Sequence, residues 1–144
     1  QAADLVFRKL ITKNGDIIDR YIQLVKDEID LKEDKTQFYV KELNKNIETL
    51  VKFTKWIKDK IKDIPEDASA ACNDYLKVLG LVATGHAWIK VLEVCFKEYE
   101  NNREFYEEKI QTAKFFFNRV LPKVESHFLT ATTGSKYIMD YKFN

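Results

Sequence analysis

From Asn73 to Tyr99 the chain reads NDYLKVLGLVATGHAWIKVLEVCFKEY. Between Tyr75 and Phe96 nearly every position is apolar or small, and only Lys77, Thr84, His86, Lys90 and Glu93 interrupt. A helix that is apolar almost all round must be buried on several sides. A run of about 22 residues nearly suffices to cross a bilayer, but three charged residues inside it and dense charge on its flanks make that costly. The stretch is therefore expected to be the central helix of a soluble bundle.

The rest of the chain suits that role. Its 144 residues are enough for one domain with a real core. Only 4 Gly and 2 Pro leave little turn chemistry, which favours a few long helices. A net charge of +1 provides no general electrostatic case for nucleic acid, and no nucleic-acid partner is expected. The chain starts at Gln1 and its only methionine is Met139, so it is expected to be a cut piece or a processed product.

Working outward, residues 1–13 carry Leu5, Val6, Phe7, Leu10 and Ile11 as a short, truncated helical piece. Asn14-Gly15 breaks it, and Asp16 is placed to cap a helix running to about Leu31. There Ile18, Tyr21, Ile22, Val25 and Ile29 share one face. A charged turn, DLKEDK at 30–35, leads to a helix from about Thr36 to Asp63. In it Val40, Leu43, Ile47, Leu50, Thr54, Ile57, Ile61 and Ile64 alternate spacings of three and four, the seam of a long helix packed at a shallow angle. Pro65 ends it, and Asp67 or Ser69 is expected to cap the central helix.

After a polar turn at Glu100-Asn101-Asn102, the last long helix is expected over Arg103 to Leu129, kinked about a turn before Pro122. Tyr106, Ile110, Ala113, Phe117, Val120, Val124 and Phe128 fall on one face of it. Ser135 to Asp140 is expected to make one more short turn, and the tail 141–144 is expected to fray. The expected fold is all-α: an up-down-up-down four-helix bundle with a short leading helical stub and a short C-terminal turn.

Chemistry-bearing patterns are sparse. Cys72 and Cys95 fall at the two ends of one helix, which at about 1.5 Å per residue sets them roughly 34 Å apart. They cannot pair and read as small buried hydrophobes in a reducing cytosol. His86 and His127 lack Glu-x-x-His or His-x-x-x-His spacing, since Ala83 and Val124 stand three before them, so no metal site is assigned. No Gly-x-Ser-x-Gly, Walker or Rossmann pattern occurs. No catalytic or cofactor-binding residue is assigned either.

Gly80 and Gly85 inside the central helix are expected to let a neighbouring helix, or a ring such as Phe116, come close; a ligand groove is the competing reading. Lys41, Lys45, Lys52, Lys55, Lys58, Lys60 and Lys62 make a positive face, but Glu42, Glu48, Asp59 and Asp63 are interspersed, as on a solvated surface. Contact of this face with an anionic membrane is the weaker reading. Phe115-Phe116-Phe117 puts rings on three sides of the last helix, so one of them is expected to point away from the bundle toward another domain or subunit; a kinked helix wrapped on three sides is the competing reading.

The central helix, Tyr75-Leu76-Lys77-Val78-Leu79-Gly80-Leu81-Val82-Ala83-Thr84-Gly85-His86-Ala87-Trp88, and the run Lys109-Ile110-Gln111-Thr112-Ala113-Lys114-Phe115-Phe116-Phe117-Asn118-Arg119-Val120-Leu121-Pro122 together resemble a known domain. It is the extra C-terminal domain of bacterial acyl-CoA dehydrogenases of the methylmercaptopropionyl-CoA dehydrogenase branch. That pattern runs Y-L-x-L-x-G-L-V-x-x-G-x-x-W, then K-x-x-x-A-x-F-F-x-x-R-x-L-P, and the resemblance covers about residues 16–144. Gln1-Ala2-Ala3-Asp4-Leu5-Val6-Phe7-Arg8-Lys9-Leu10 is similar to the run that ends the catalytic core in this branch, with Phe7 where Gly is frequent.

The resemblance implies a division at residue 13. Residues 1–13 would end the catalytic core's last helix, and 14–144 would form a four-helix accessory domain. It further implies a parent flavoenzyme that uses FAD to form an α,β double bond in an acyl-CoA thioester, with base and flavin site before Gln1. The fragment itself would be catalytically silent and hold no cofactor. Its partner would be the catalytic core of the same polypeptide, in a homo-oligomeric, cytoplasmic enzyme. The alternative is a free-standing helical-bundle interaction module.

Overall fold

Pro65 sets the main joint of the molecule. In the computed structural model, which describes residues 1–11, 16–29 and 34–140, helix α3 (Gln37–Asp63) and helix α4 (Pro65–Lys97) are separated by Ile64 alone. Proline has no N–H to offer, but the first turn of a helix has no use for that donor, so Pro65 both stops α3 and opens α4. This corrects the expected start of the central helix. Asp67 and Ser69 do not cap it; they lie inside α4, and the cap position, Ile64, forms no side-chain cap bond. Ile64 is exposed at the joint, so the α3 seam stops short of it.

The remaining elements are α1, an α-helical turn Ala2–Asp4 continued by a π-helical stretch Leu5–Lys9, and α2 (Asp16–Ile29). A short 3₁₀ turn, Asp34–Thr36, leads into α3. Beyond α4 and the turn Tyr99–Asn101 come α5 (Arg103–Phe115), α6 (Lys123–Ala131) and α7 (Lys136–Met139). Among the described residues there is no strand. The fold is the all-α up-down-up-down bundle, with α2, α3, α4 and α5–α6 as its four long members and α1 leading. The break at Asn14-Gly15, the capping side chain of Asp16, the turn over 30–33 and the tail 141–144 lie outside the described residues.

The α3 seam is the best-kept part of the core. Leu43, Ile47, Leu50 and Ile57 are fully buried, and Val40 and Thr54 nearly so. Phe53 beside them packs edge-on against Tyr75 of α4 and Phe128 of α6, with centroids at 5.2 and 5.5 Å, which ties three helices at one point. The α2 stripe behaves as its spacing predicts: Ile18, Ile22, Val25 and Ile29 are buried and Tyr21 is half-buried. In α1, Leu5, Val6 and Leu10 join the same core cluster, and the helix packs on α4.

The expected kink before Pro122 has a specific form. α5 continues into a π-helical stretch, Phe116–Val120, in which Leu121 N–H donates to Phe116 O at 2.9 Å, five residues back. A proline ring clashes with the carbonyl four residues before it, and the widened turn makes room while α6 starts afresh. Asn102 caps α5, its side-chain oxygen accepting from Phe105 N–H at 3.2 Å.

α4 is the hub, in contact with α1, α2, α3, α5 and α6. By length and composition it could cross a membrane, but Ala71, Tyr75, Val78, Val82, Ile89 and Leu92 are sealed inside the bundle.

Candidate interaction surfaces

The chemistry-bearing side chains serve mainly as ties between helices. His86 is buried at 8% exposure, and its Nε2 lies 2.8 Å from Glu28 Oε2 on α2. Lys90, one turn on, reaches the same oxygen at 2.5 Å. Lys90 first and His86 second hold the Glu28 carboxyl below its usual range. His127 Nδ1 meets Asp74 Oδ1 at 2.8 Å and so links α6 to α4. The two histidines are not brought together, and among the described residues no cluster of three or more His, Cys, Asp or Glu is arranged to hold a metal ion.

Cys72 and Cys95 are free and buried, as their apolar surroundings in sequence suggest. Burial pushes both thiols up, and Cys72 Sγ donates to Ala68 O at 3.3 Å, so neither is set up as a nucleophile. Thr54 Oγ1 donates to Leu50 O at 2.8 Å and lies 2.9 Å from the Tyr75 hydroxyl. The single Thr54 proton goes to Leu50, so Tyr75 is the donor between the two. Burial pushes the Tyr75 phenol up to about 12.

The two glycines part ways. A Cβ on Gly85 would sit 2.9 Å from Leu43 Cδ1 and 3.7 Å from both Leu121 Cδ1 and Phe116 Cε1. This is the expected close approach, with the expected ring. A Cβ built on Gly80 would meet no atom within 4 Å beyond its own helix backbone, so the packing role expected for it within this bundle is wrong: it faces outward.

The basic face of α3 is partly spent inside the bundle. Lys58 pairs with Asp19 at 2.8 Å, and Lys60 pairs with Asp67 at 2.8 Å while lying over the Trp56 ring. Lys41 and Lys45 line an open cleft of about 620 Å³ together with Glu42 and Glu48, which mixes the charge. Of the three phenylalanines, Phe116 and Phe117 are buried and Phe115 is 61% exposed, so one ring does point away.

Sequence reasoning missed the tie at the C-terminal end. Asp67, 8% exposed, accepts from Ser135 N–H at 2.7 Å and Ser135 Oγ at 2.8 Å, as well as from Lys60. Lys60 first and Ser135 next hold the Asp67 carboxyl down at about 2. The one available signal was Gly134, whose φ of +81° makes the turn that delivers Ser135.

What remains on the surface is apolar and unassigned. Leu76, Val91 and Val94 of α4 and Phe105 of α5 are exposed. Val91, Val94, Cys95, Phe105 and Tyr106 floor a groove of about 330 Å³ with Lys90 and Lys109 on its edge. A second cleft of about 490 Å³, lined by Phe38, Tyr39, Phe96, Tyr99 and others, lies where α3, α4 and α5 end or begin.

Compared with known proteins, residues 18–142 match the family model described as Acetyl-CoA dehydrogenase C-terminal like. None of the curated proteins compared matches the chain.

Proposed function

The chain belongs to the Acetyl-CoA dehydrogenase C-terminal like family, and we propose that it acts as the non-catalytic accessory domain of an FAD-dependent acyl-CoA dehydrogenase, helping the enzyme assemble by docking on its catalytic core. The family match over residues 18–142 carries this reading. The parent enzyme would form an α,β double bond in an acyl-CoA thioester, and the order of the two sequence runs quoted above favours the methylmercaptopropionyl-CoA dehydrogenase branch. Its setting would be the cytosol, as a homo-oligomer, and residues 1–13 would continue the last helix of the core.

Flavin chemistry belongs elsewhere in that polypeptide. The clefts described above are open grooves with no glycine among their lining residues. No step of the reaction is assigned to this chain. Its side chains instead lock helix to helix, which is the work of a scaffold.

The test is the complete reading frame, expressed and purified. It should bind FAD and dehydrogenate an acyl-CoA, while residues 1–144 alone should do neither. A frame that starts near Gln1 would overturn the reading in favour of a free-standing interaction module. Tight FAD binding by residues 1–144 would overturn the silent role.

A further inference from the structure

Residues 1–11, QAADLVFRKLI, hold no Gly or Ser, the residues of a pliant linker. The hydrophobic core runs through them without a break. Leu5, Val6 and Leu10 are 9, 0 and 1% exposed, and Ala2 packs against the same cluster. α1 gains this burial by lying on α4, the hub of the bundle.

The winding of α1 serves that seat. Leu10 N–H donates to Leu5 O at 2.9 Å, five residues back, so the π turn stacks Leu5 and Leu10 with Val6 beside them. In an ordinary α-helix a step of five would carry Leu10 about 140° round from Leu5. π turns are rare and concentrate at functional sites. The one before Pro122 is explained by its proline, but residues 1–11 hold none. On the exposed side Arg8 Nη2 donates to Asp4 Oδ2 at 2.8 Å, a turn back.

We infer that α1 is a strut shared by two bodies, and that its seat on α4 is the surface through which this domain docks on its partner. Resting on the function proposed above, the partner is the catalytic core of the same polypeptide, whose last helix ends in α1. Domains joined by a loose connection move relative to one another. Here the connecting helix is itself part of the bundle's core, so the two bodies are held in one orientation. The coupling runs from α1 to α4 by side-chain packing and does not depend on the chain that leads on to α2.

Insertions in the complete polypeptide test this, because they leave the packed side chains as they are. Gly-Ser-Gly-Ser is added immediately before Gln1 in one variant and between Lys13 and Asn14 in another, and solution X-ray scattering reads how far the bodies spread. The first insertion should expand the scattering profile, and the second should leave it unchanged. Val6→Asp, which drives α1 off α4, should also expand it and should make amide exchange over Leu5–Leu10 about tenfold faster. Expansion by the insertion after Lys13 overturns the strut, since the joint would then lie there. A profile that neither insertion expands overturns it as well, since another surface would then hold the bodies together. A complete polypeptide that oxidises acyl-CoA yet gives either of these results sinks the strut and spares the parent reading. Expansion by the first insertion alone, without any acyl-CoA oxidation, keeps the strut and sinks the parent reading.

Discussion

Asp67 and Ser135, 68 residues apart, are joined twice: the carboxylate oxygen Oδ1 accepts both the backbone N–H and the hydroxyl of Ser135, at 2.7 and 2.8 Å. With Lys60 on the other oxygen, one carboxylate connects the end of α3, the start of α4 and the segment before α7. Asp67→Asn should destabilise the chain by about 2 kcal/mol at pH 7, since hydrogen bonds to a charged group are the stronger kind. The folded carboxyl sits at about 2 against an ordinary 3.8, so this stabilisation is complete above about pH 4 and fades as pH falls toward 2. Urea melts of both proteins from pH 7 to pH 2.5 check this. A gap that stays constant down to pH 2.5 would contradict it.

The glycines of α4 should respond in opposite directions. Gly80→Ala places a methyl in open space on an exposed helix and should stabilise by about 1 kcal/mol through helix propensity alone. Gly85→Val drives new atoms into Leu43, Phe116 and Leu121, and overpacking should outweigh any propensity gain by about 2 kcal/mol. Thermal unfolding of the two variants distinguishes them by sign. Two shifts of the same sign would mean that the helix faces are wrongly placed.

Thr54 and Tyr75 form a buried pair whose loss should be asymmetric. Thr54→Val leaves the Tyr75 hydroxyl buried without an acceptor and should cost about 2 kcal/mol; Tyr75→Phe removes the donor itself and should cost about 1. The double variant should lose clearly less than the sum of the two. Additive losses would show that the hydroxyls do not interact.

Glu28 should govern how firmly α2 is held. It sits in the last turn of α2, where a negative charge is unfavourable to the helix dipole, and Lys90 and His86 compensate. Glu28→Gln should speed amide exchange across α2 severalfold at pH 7 and leave α3 unchanged. In the parent chain the carboxyl is held below its ordinary 4.5, so the tie is present above that value and weakens as pH falls through the lower folded one. Identical α2 exchange in the two proteins would rule the tie out.

Much of the fold was readable because α3 carries its instruction locally. Val40 to Ile57 recur at threes and fours, and every one of them is buried. The kink at Pro122 and the outward Phe115 follow from single-residue chemistry in the same way. What failed needed partners far along the chain. Asp67 looked like a cap because its type suits one, but Pro65 opens the helix and leaves the carboxylate for Ser135. Gly80 and Gly85 look alike in sequence; which one meets Leu43 depends on how α3 lies across α4. The His86–Glu28 and His127–Asp74 ties span 58 and 53 residues, with no local spacing to announce them.

The single-residue joint at Ile64 bears on the order of folding. α3 and α4 together hold 60 residues, 27 and 33, and almost nothing between them has to be ordered before their faces meet. Closing so short a connection costs little chain entropy, and local contacts of this kind form early. The α3–α4 hairpin is thus the natural nucleus, and α2, α5 and α6 add to a surface already built. Substitutions along the Leu43–Ile57 seam should then act on the rate of folding, whereas breaking the Asp67–Ser135 clasp, a late closure, should act on the rate of unfolding.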